Sequence, residues 1–233
     1  MGEQKHTGSY YDAFAKEPGR HVGLEGVVNA RGVGYTAVVM ASVPEGSDRG
    51  LSSGNPFAGI EIVPGSTVVD LGCGAGRDCF IAAAMVGQQG RVVGIDASEA
   101  MVDEAHAIAV REGFTNVEFL VGEALSVPLD DDCADYVISN CVFNQVDDKV
   151  AAFREMQRIL RESGTLSFSD VMKTPEASSK LARSKTACLA RAVLVDAYLD
   201  ALMKAGFGDV RVDSLRPWPT YRGVVSAHIV ARV

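Results

Sequence analysis

Residues 68–78 read VVDLGCGAGRD, and no other stretch of the chain restricts its fold as tightly. A short apolar run ends on Asp70 and breaks into Gly72, Gly74 and Gly76; an apolar, helix-like segment follows, and about twenty residues on a second apolar run, RVVGID, ends on Asp96. Glycine lets the backbone turn sharply and approach a ligand closely. A strand that ends in a glycine turn, then a helix, then a strand tipped by a carboxylate is the build of a nucleotide-binding βαβ unit. Chemistry is therefore expected at the carboxyl ends of these strands.

The same alternation continues. Strands are expected over residues 66–71, 90–96, 116–122, 134–140 and 165–171, with helices over about 77–86, 98–112 and 148–161. Ser98 is a natural N-cap and Gly113 a natural helix stop. Val150, Phe153, Met156 and Leu160 fall on one face of the third helix, and Gly164 ends that unit. Residues 178–206 read as helical in two pieces, and residues 209–215 and 224–233 as strands that pair antiparallel. This order predicts a doubly wound, Rossmann-like α/β fold: a seven-stranded, mostly parallel sheet with helices on both faces and an antiparallel C-terminal strand. Residues 1–60 are irregular, with short helices near Ala13 and over residues 33–40 and a turn-rich stretch, PEGSDRGLSSGNP, over residues 44–56.

Composition narrows the partners. With 22 Lys plus Arg against 30 Asp plus Glu the net charge is −8, which repels phosphate backbones and anionic lipid, so no nucleic acid partner is expected. No apolar run reaches the ~18 residues that span a bilayer, and the polar N-terminus lacks the apolar core of a secretory signal. Five irregularly spaced cysteines do not form a disulfide framework, and a reducing cytoplasm is the expected compartment. His6, His21, His106 and His228 share no metal-ligand spacing, so no zinc site is expected. No surface pattern marks a protein partner or an oligomeric state.

The glycine spacing bears on the ligand. Dinucleotide sites use G-x-G-x-x-G and set the pyrophosphate on the helix N-terminus. Here the spacing is G-x-G-x-G, and Asp78 stands where the helix begins, a position that repels a pyrophosphate and suits a cationic or zwitterionic ligand. VVDLGCGAGRD resembles the first motif of the class I S-adenosylmethionine-dependent methyltransferases; RVVGIDAS, FLVGEAL and YVISNCV resemble their second, third and fourth. The resemblance covers residues 61–233 as a methyltransferase domain, with residues 1–60 as a lid that contacts substrate. It implies that Gly72, Gly74 and Gly76, behind Asp70, approach the methionine part of S-adenosylmethionine. Asp96 would hold the ribose hydroxyls and Ala97 would lie near the adenine. Glu123 and Ala124 would face the adenine amine, and Asn140 the carboxyl or sulfonium end. S-adenosylhomocysteine is the implied product.

Within that superfamily, ISNCVFNQVDDKVAAFREMQRIL is similar to the arsenite methyltransferase branch, which carries Ser-Asn-Cys-Val and a second Asn three residues after the Cys. GRDCF, Cys188 ahead of a helix ending in Gly206-Phe207, and VPEGSDRGLSSGNP fit the same branch, and Tyr10-Tyr11-Asp12 resembles its N-terminal lid over the cofactor. The resemblance implies Cys141 and Cys188 as thiolate ligands of trivalent arsenic and a thiol reductant such as glutathione or thioredoxin. Soft arsenic selects sulfur ligands and keeps its lone pair free for the methyl group. The family cysteine before Gly-Asn-Pro is replaced by Ser53, and no cysteine precedes Cys73. Two thiolates suit an arsenical that already bears one carbon substituent, so methylarsenite or a larger organoarsenical is expected in preference to inorganic arsenite. Cys73 and Cys79 read as packing residues, Cys133 carries no role, and Trp218 and Tyr221 either line the acceptor pocket or pack.

Other readings stay open. A small-molecule O-, N- or C-methyltransferase of secondary metabolism would be indifferent to Cys141 and Cys188. A non-catalytic metalloid-binding protein would bind arsenicals without turnover. A nicotinamide dehydrogenase is disfavoured by the glycine spacing.

Overall fold

The glycine turn and its flanking strands lie at the centre of a seven-stranded sheet. A computed structural model describes residues 11–12, 33–177, 187–218 and 221–233. In chain order the elements are α1 (Ala37–Ala41), β1 (Thr67–Leu71), α2 (Arg77–Val86), β2 (Arg91–Asp96), α3 (Glu99–Glu112), β3 (Val117–Val121), β4 (Ala134–Asn140), a 3₁₀ turn (Phe143–Gln145), α4 (Lys149–Ile159), β5 (Leu160–Lys173), α5 (Ala187–Ala190), α6 (Val195–Ala205), β6 (Asp209–Pro217) and β7 (Val224–Arg232). The sheet order is β3-β2-β1-β4-β5-β7-β6. β1 to β5 are parallel, and β7 runs antiparallel between β5 and β6. This is the mostly parallel architecture expected from the strand–helix alternation.

Both faces are covered, as parallel sheets require. On one face Phe143, Phe153, Phe168 and Tyr198 pack with Met156, Ile159 and Leu202 of α4 and α6. The Phe143 ring lies 4.6 Å from that of Phe153 and 4.9 Å from that of Phe168. On the other face Val68, Val92 and Ile138 meet Cys79, Phe80, Ala83 and Ala105 of α2 and α3. Ser98 caps α3 by accepting from the Met101 N–H, and Gly113 closes it in a left-handed conformation. Among the described residues no helix is long and apolar enough to cross a membrane.

Several boundaries differ from the sequence reading. The helix expected over residues 33–40 is the shorter α1, because Thr36 caps it, accepting from the Val39 N–H at 3.2 Å. α4 stops at Ile159 rather than running to residue 161. Leu160 turns extended to pair with Ala134, and the next pair is Tyr136 with Thr165, so residues 161–164 bulge from β5. Gly164 therefore lies inside a strand rather than at a helix end. Of the helix expected near Ala13 only Tyr11 and Asp12 are described, both helical, and residues 178–186 of the expected helical segment lie outside the described residues. Strand order reverses between β1 and β4, which opens a crevice at their carboxyl ends, where α/β sheets bind ligands.

Candidate active site

Two clusters meet at that crevice. The first is the glycine turn. Gly72, Gly74 and Gly76 have φ of 75°, 53° and 91°, left-handed values that cost any L-residue with a Cβ. A Cβ on Gly72 would collide with Val142, and one on Gly76 would press on Phe80, whereas one on Gly74 would meet nothing within 4 Å. Gly74 thus presents bare backbone to open space. Its N–H donates to Asp96 Oδ2 at 2.9 Å, and the Ser98 N–H donates to Asp96 Oδ1 at 2.9 Å. Burial raises the Asp96 pKa despite these donors. Asp12, of the Tyr10-Tyr11-Asp12 motif but given no role of its own, accepts from Ser98 Oγ at 2.6 Å, so residues 11–12 lie beside Asp96 at the start of α3. Ala97 follows β2, and Glu123 and Ala124 follow β3 next to it. Asp70 lies behind the turn, fully buried, where it accepts from Cys79 Sγ at 3.3 Å; burial and the charge of Asp78 push its pKa well up. Nothing in the described chain fills the space above Gly74, and the acidic edge at Asp96 offers acceptors for hydroxyls.

Asp78 does not face a ligand. It is buried and receives Arg77 Nε at 3.0 Å, Arg77 Nη2 at 2.9 Å and Tyr35 Oη at 2.7 Å. The Arg77 guanidinium lies 4.7 Å from the Tyr35 ring centre and reaches Asp48 at 3.2 Å. The carboxylate that the sequence reading assigned to ligand charge therefore anchors the N-terminal segment. Its partner Tyr35 was missed, because a contact across forty-odd residues leaves no periodic signal, and the neighbouring Arg77 was given no role.

Asn140, the last residue of β4, spends its amide on the same segment. Its Oδ1 accepts from the N–H groups of Ser53 at 2.9 Å and Gly54 at 3.3 Å. Its Nδ2 donates to Gly54 O at 2.8 Å, and Ser52 Oγ and Tyr35 Oη lie at 3.0 and 3.2 Å. Ser226 donates to Ser53 O, and Ser167 donates to Pro56 O at 2.6 Å, backed by His228 Nε2 at 2.8 Å from its Oγ. Gly54 is pressed so closely onto Ser169 that a Cβ there would collide with it.

These clamps set Ser53 beside the second cluster. Cys141 and Cys188 are far apart in sequence, yet their Sγ atoms lie 3.0 Å apart, both thiols free. Cys141 holds φ of 64° where β4 turns into the 3₁₀ segment. The pair packs in an apolar cluster with Val171, Leu189, Trp218, Val224 and the partly buried Tyr221, so both aromatic residues left open by the sequence stand in the thiol cluster. Ser53 Oγ bonds Asn140 Oδ1 at 3.1 Å and Ser169 O at 3.0 Å, and Cys141 beside it is pushed well above the ordinary thiol range by its hydrogen bond to Cys188 and by burial, against a lowering influence of Ser53. The other thiols lie elsewhere: burial raises Cys73 to about 11 and also pushes Cys79 well up, and Cys133 lies at the entry to β4. Two adjacent, dry thiols chelate a soft, thiophilic centre and offer little to a hard one.

Comparison with known proteins agrees with this geometry. Residues 62–206 match the family model described as a methyltransferase domain. An arsenite methyltransferase of Halobacterium salinarum is 41% identical over 183 residues, covering 77% of this chain and 47% of that protein. One of Aquipseudomonas alcaligenes is 36% identical over 166 residues, covering 67% and 48%. The chain thus spans about half the length of the curated relatives it matches. The crystal structure of an arsenic (III) S-adenosylmethionine methyltransferase from Chlamydomonas reinhardtii superposes with a TM-score of 0.69 at 27% identity, covering 87% of this chain and 72% of that one. The sheet order, the glycine turn beneath an acid-tipped β2 and the matched domain together place the chain in the methyltransferase-domain family.

Proposed function

We propose that this protein transfers a methyl group from S-adenosylmethionine to a trivalent arsenical held by Cys141 and Cys188, and that it prefers organoarsenicals such as methylarsenite to inorganic arsenite. The observation that carries the reading is the 3.0 Å approach of the two thiols in an apolar cluster, with a serine beside them. The curated relatives named as arsenite methyltransferases support the choice of arsenic.

The residues present fit the cofactor. Gly74 offers bare backbone, with Gly72 and Gly76 making the turn on either side of it, Asp96 and Ala97 offer the ribose and adenine edge, Glu123 and Ala124 the adenine amine, and Tyr11 a cover; Asp70 and Asn140 fix the walls. S-adenosylmethionine bound there supplies a methyl group on a positively charged sulfur. Residues 1–60 act as the lid over residues 61–233.

Each cysteine exchanges its S–H for an S–As bond, and its proton leaves with one arsenic hydroxyl as water. Methylarsenite has two such hydroxyls, so two thiols replace both. Inorganic arsenite has three, and Ser53 provides no thiolate for the third. The arsenic lone pair then forms the As–C bond as the C–S bond breaks, which raises arsenic from the trivalent to the pentavalent state. No base is needed, because arsenic loses no proton; the protein contributes placement and dryness. An external thiol such as glutathione or thioredoxin returns arsenic to the trivalent state, which fits a reducing cytoplasm.

Cys141→Ser and Cys188→Ser test the reading. Each alone is expected to lose arsenic methylation while retaining S-adenosylmethionine binding, and the double variant should be no worse than either, as for residues that act as one unit. Full activity in either variant would point instead to a small-molecule O-, N- or C-methyltransferase. Tight arsenical binding without product would point to a metalloid-binding protein.

A further inference from the structure

We propose that the 3₁₀ turn after Cys141 is a clasp that sets the spacing of the two thiols, with Asn144 as its positioning residue. The inference rests on the two-thiol reading above and names what builds that site. Two consecutive side chains of this turn each hold the carbonyl of one cysteine. Gln145 Nε2 donates to Cys141 O at 3.2 Å, and Asn144 Nδ2 donates to Cys188 O at 3.3 Å. The same Asn144 amide donates to Val171 O of β5 at 2.6 Å, and its Oδ1 accepts from Tyr198 Oη of α6 at 2.8 Å. Its backbone N–H donates to Asp170 Oδ2 at 2.8 Å. One buried amide therefore joins the segment after Cys141, strand β5, helix α6 and the helix that carries Cys188.

The demand for such a clasp comes from α5. It has four residues, and so short a helix does not hold its own geometry. Its place relative to β4 must come from contacts with other elements. The polarity is specific as well. Both amide hydrogens point at carbonyl oxygens and the amide oxygen meets a hydroxyl, so a carboxylate of the same shape would set oxygen against oxygen at Val171 and Cys188. Chelation needs both sulfurs at one distance from one arsenic atom. Loss of the clasp converts a two-point ligand into two weaker one-point ligands.

Trp218 provides the readout, being the chain's one tryptophan and a member of the apolar cluster that holds both cysteines. Methylarsenite binding is measured by Trp218 fluorescence, and S-adenosylmethionine binding by calorimetry on the same preparations. Asn144→Asp and Asn144→Ala are expected to weaken methylarsenite binding by about a hundredfold, the order of a lost second attachment point, with S-adenosylmethionine affinity unchanged. Tyr198→Phe and Gln145→Ala, milder changes, are expected to weaken it less. In turnover the loss should enter through the KM for methylarsenite. The clasp is overturned if the Asn144, Gln145 and Tyr198 variants all bind methylarsenite as the parent does while Cys141→Ser and Cys188→Ser lose it. It is equally overturned if both ligands weaken in parallel, the mark of a general loss of structure. Undiminished methylarsenite binding by both cysteine variants would remove the two-thiol site itself, and the clasp with it.

Discussion

Cys141 adopts φ of 64°, a conformation that costs a residue with a Cβ about 1–2 kcal/mol. Its N–H is held by Ser169 O at 2.9 Å, which aims the thiol at Cys188 rather than along the strand. The residue type and flanking pattern of Cys141 were legible in the sequence, as was the Ser53 replacement. That Ser53 stands beside Cys141 was not, because the clamps that place it come from Asn140, Ser169 and Ser226, each remote along the chain. Asp170, also unmarked in the sequence, yields a pH expectation. Burial raises its pKa from 3.8 to about 6, against hydrogen bonds from Asn144, Tyr198 and Val171. Between those values the unfolded chain has released this proton and the native protein still binds it, so stability falls as pH rises through the window and levels off above it. The contribution is roughly 3 kcal/mol for a shift of about two units. Urea unfolding between pH 4 and 7 should show that part of the slope in the parent and not in Asp170→Asn; identical slopes would show that Asp170 is not the group responsible.

At the scale of elements, the glycine turn and the acid-tipped second strand were readable because their constraints are local: sharp turns need glycine, and strand–helix period is written in nearby residues. The end of α4 was misread for the opposite reason. Leu160 fits the apolar face of the helix, but its pairing with Ala134 overrides helix continuation. The turn itself separates a structural demand from a ligand demand. Gly74→Ala meets open space at φ of 53°, so its unfolding stability should drop by only about 1–2 kcal/mol. Its new methyl group would stand where the cofactor is placed, so S-adenosylmethionine affinity measured by calorimetry should fall more than about tenfold, one lost contact's worth of binding energy. Gly72→Ala should lose fold stability as well, because its methyl group collides with Val142. Unchanged S-adenosylmethionine binding by Gly74→Ala would mean that this turn does not cradle the cofactor.

For the whole molecule, the order β3-β2-β1-β4-β5-β7-β6 brings the glycine turn and Cys141 to adjacent strand ends, with β1 and β4 paired directly. The glycine turn and Cys141 thus share one crevice, although the sequence holds them some seventy residues apart. The strand–helix order was legible along the chain. What the sequence did not disclose is the packing of residues 33–57 onto that crevice through Tyr35, Arg77, Asp78 and Asn140, since buried polar contacts between distant segments follow no period. That packing holds Ser53 on Asn140 and Ser169, and the proposed site therefore has two thiols and no third. Product speciation with S-adenosylmethionine and a thiol reductant tests this account most directly. Methylarsenite should be converted to a dimethylated product, inorganic arsenite should give little product, and Ser53→Cys should raise turnover of arsenite. Equal conversion of arsenite and methylarsenite by the parent protein, or an arsenite rate indifferent to Ser53→Cys, would contradict it.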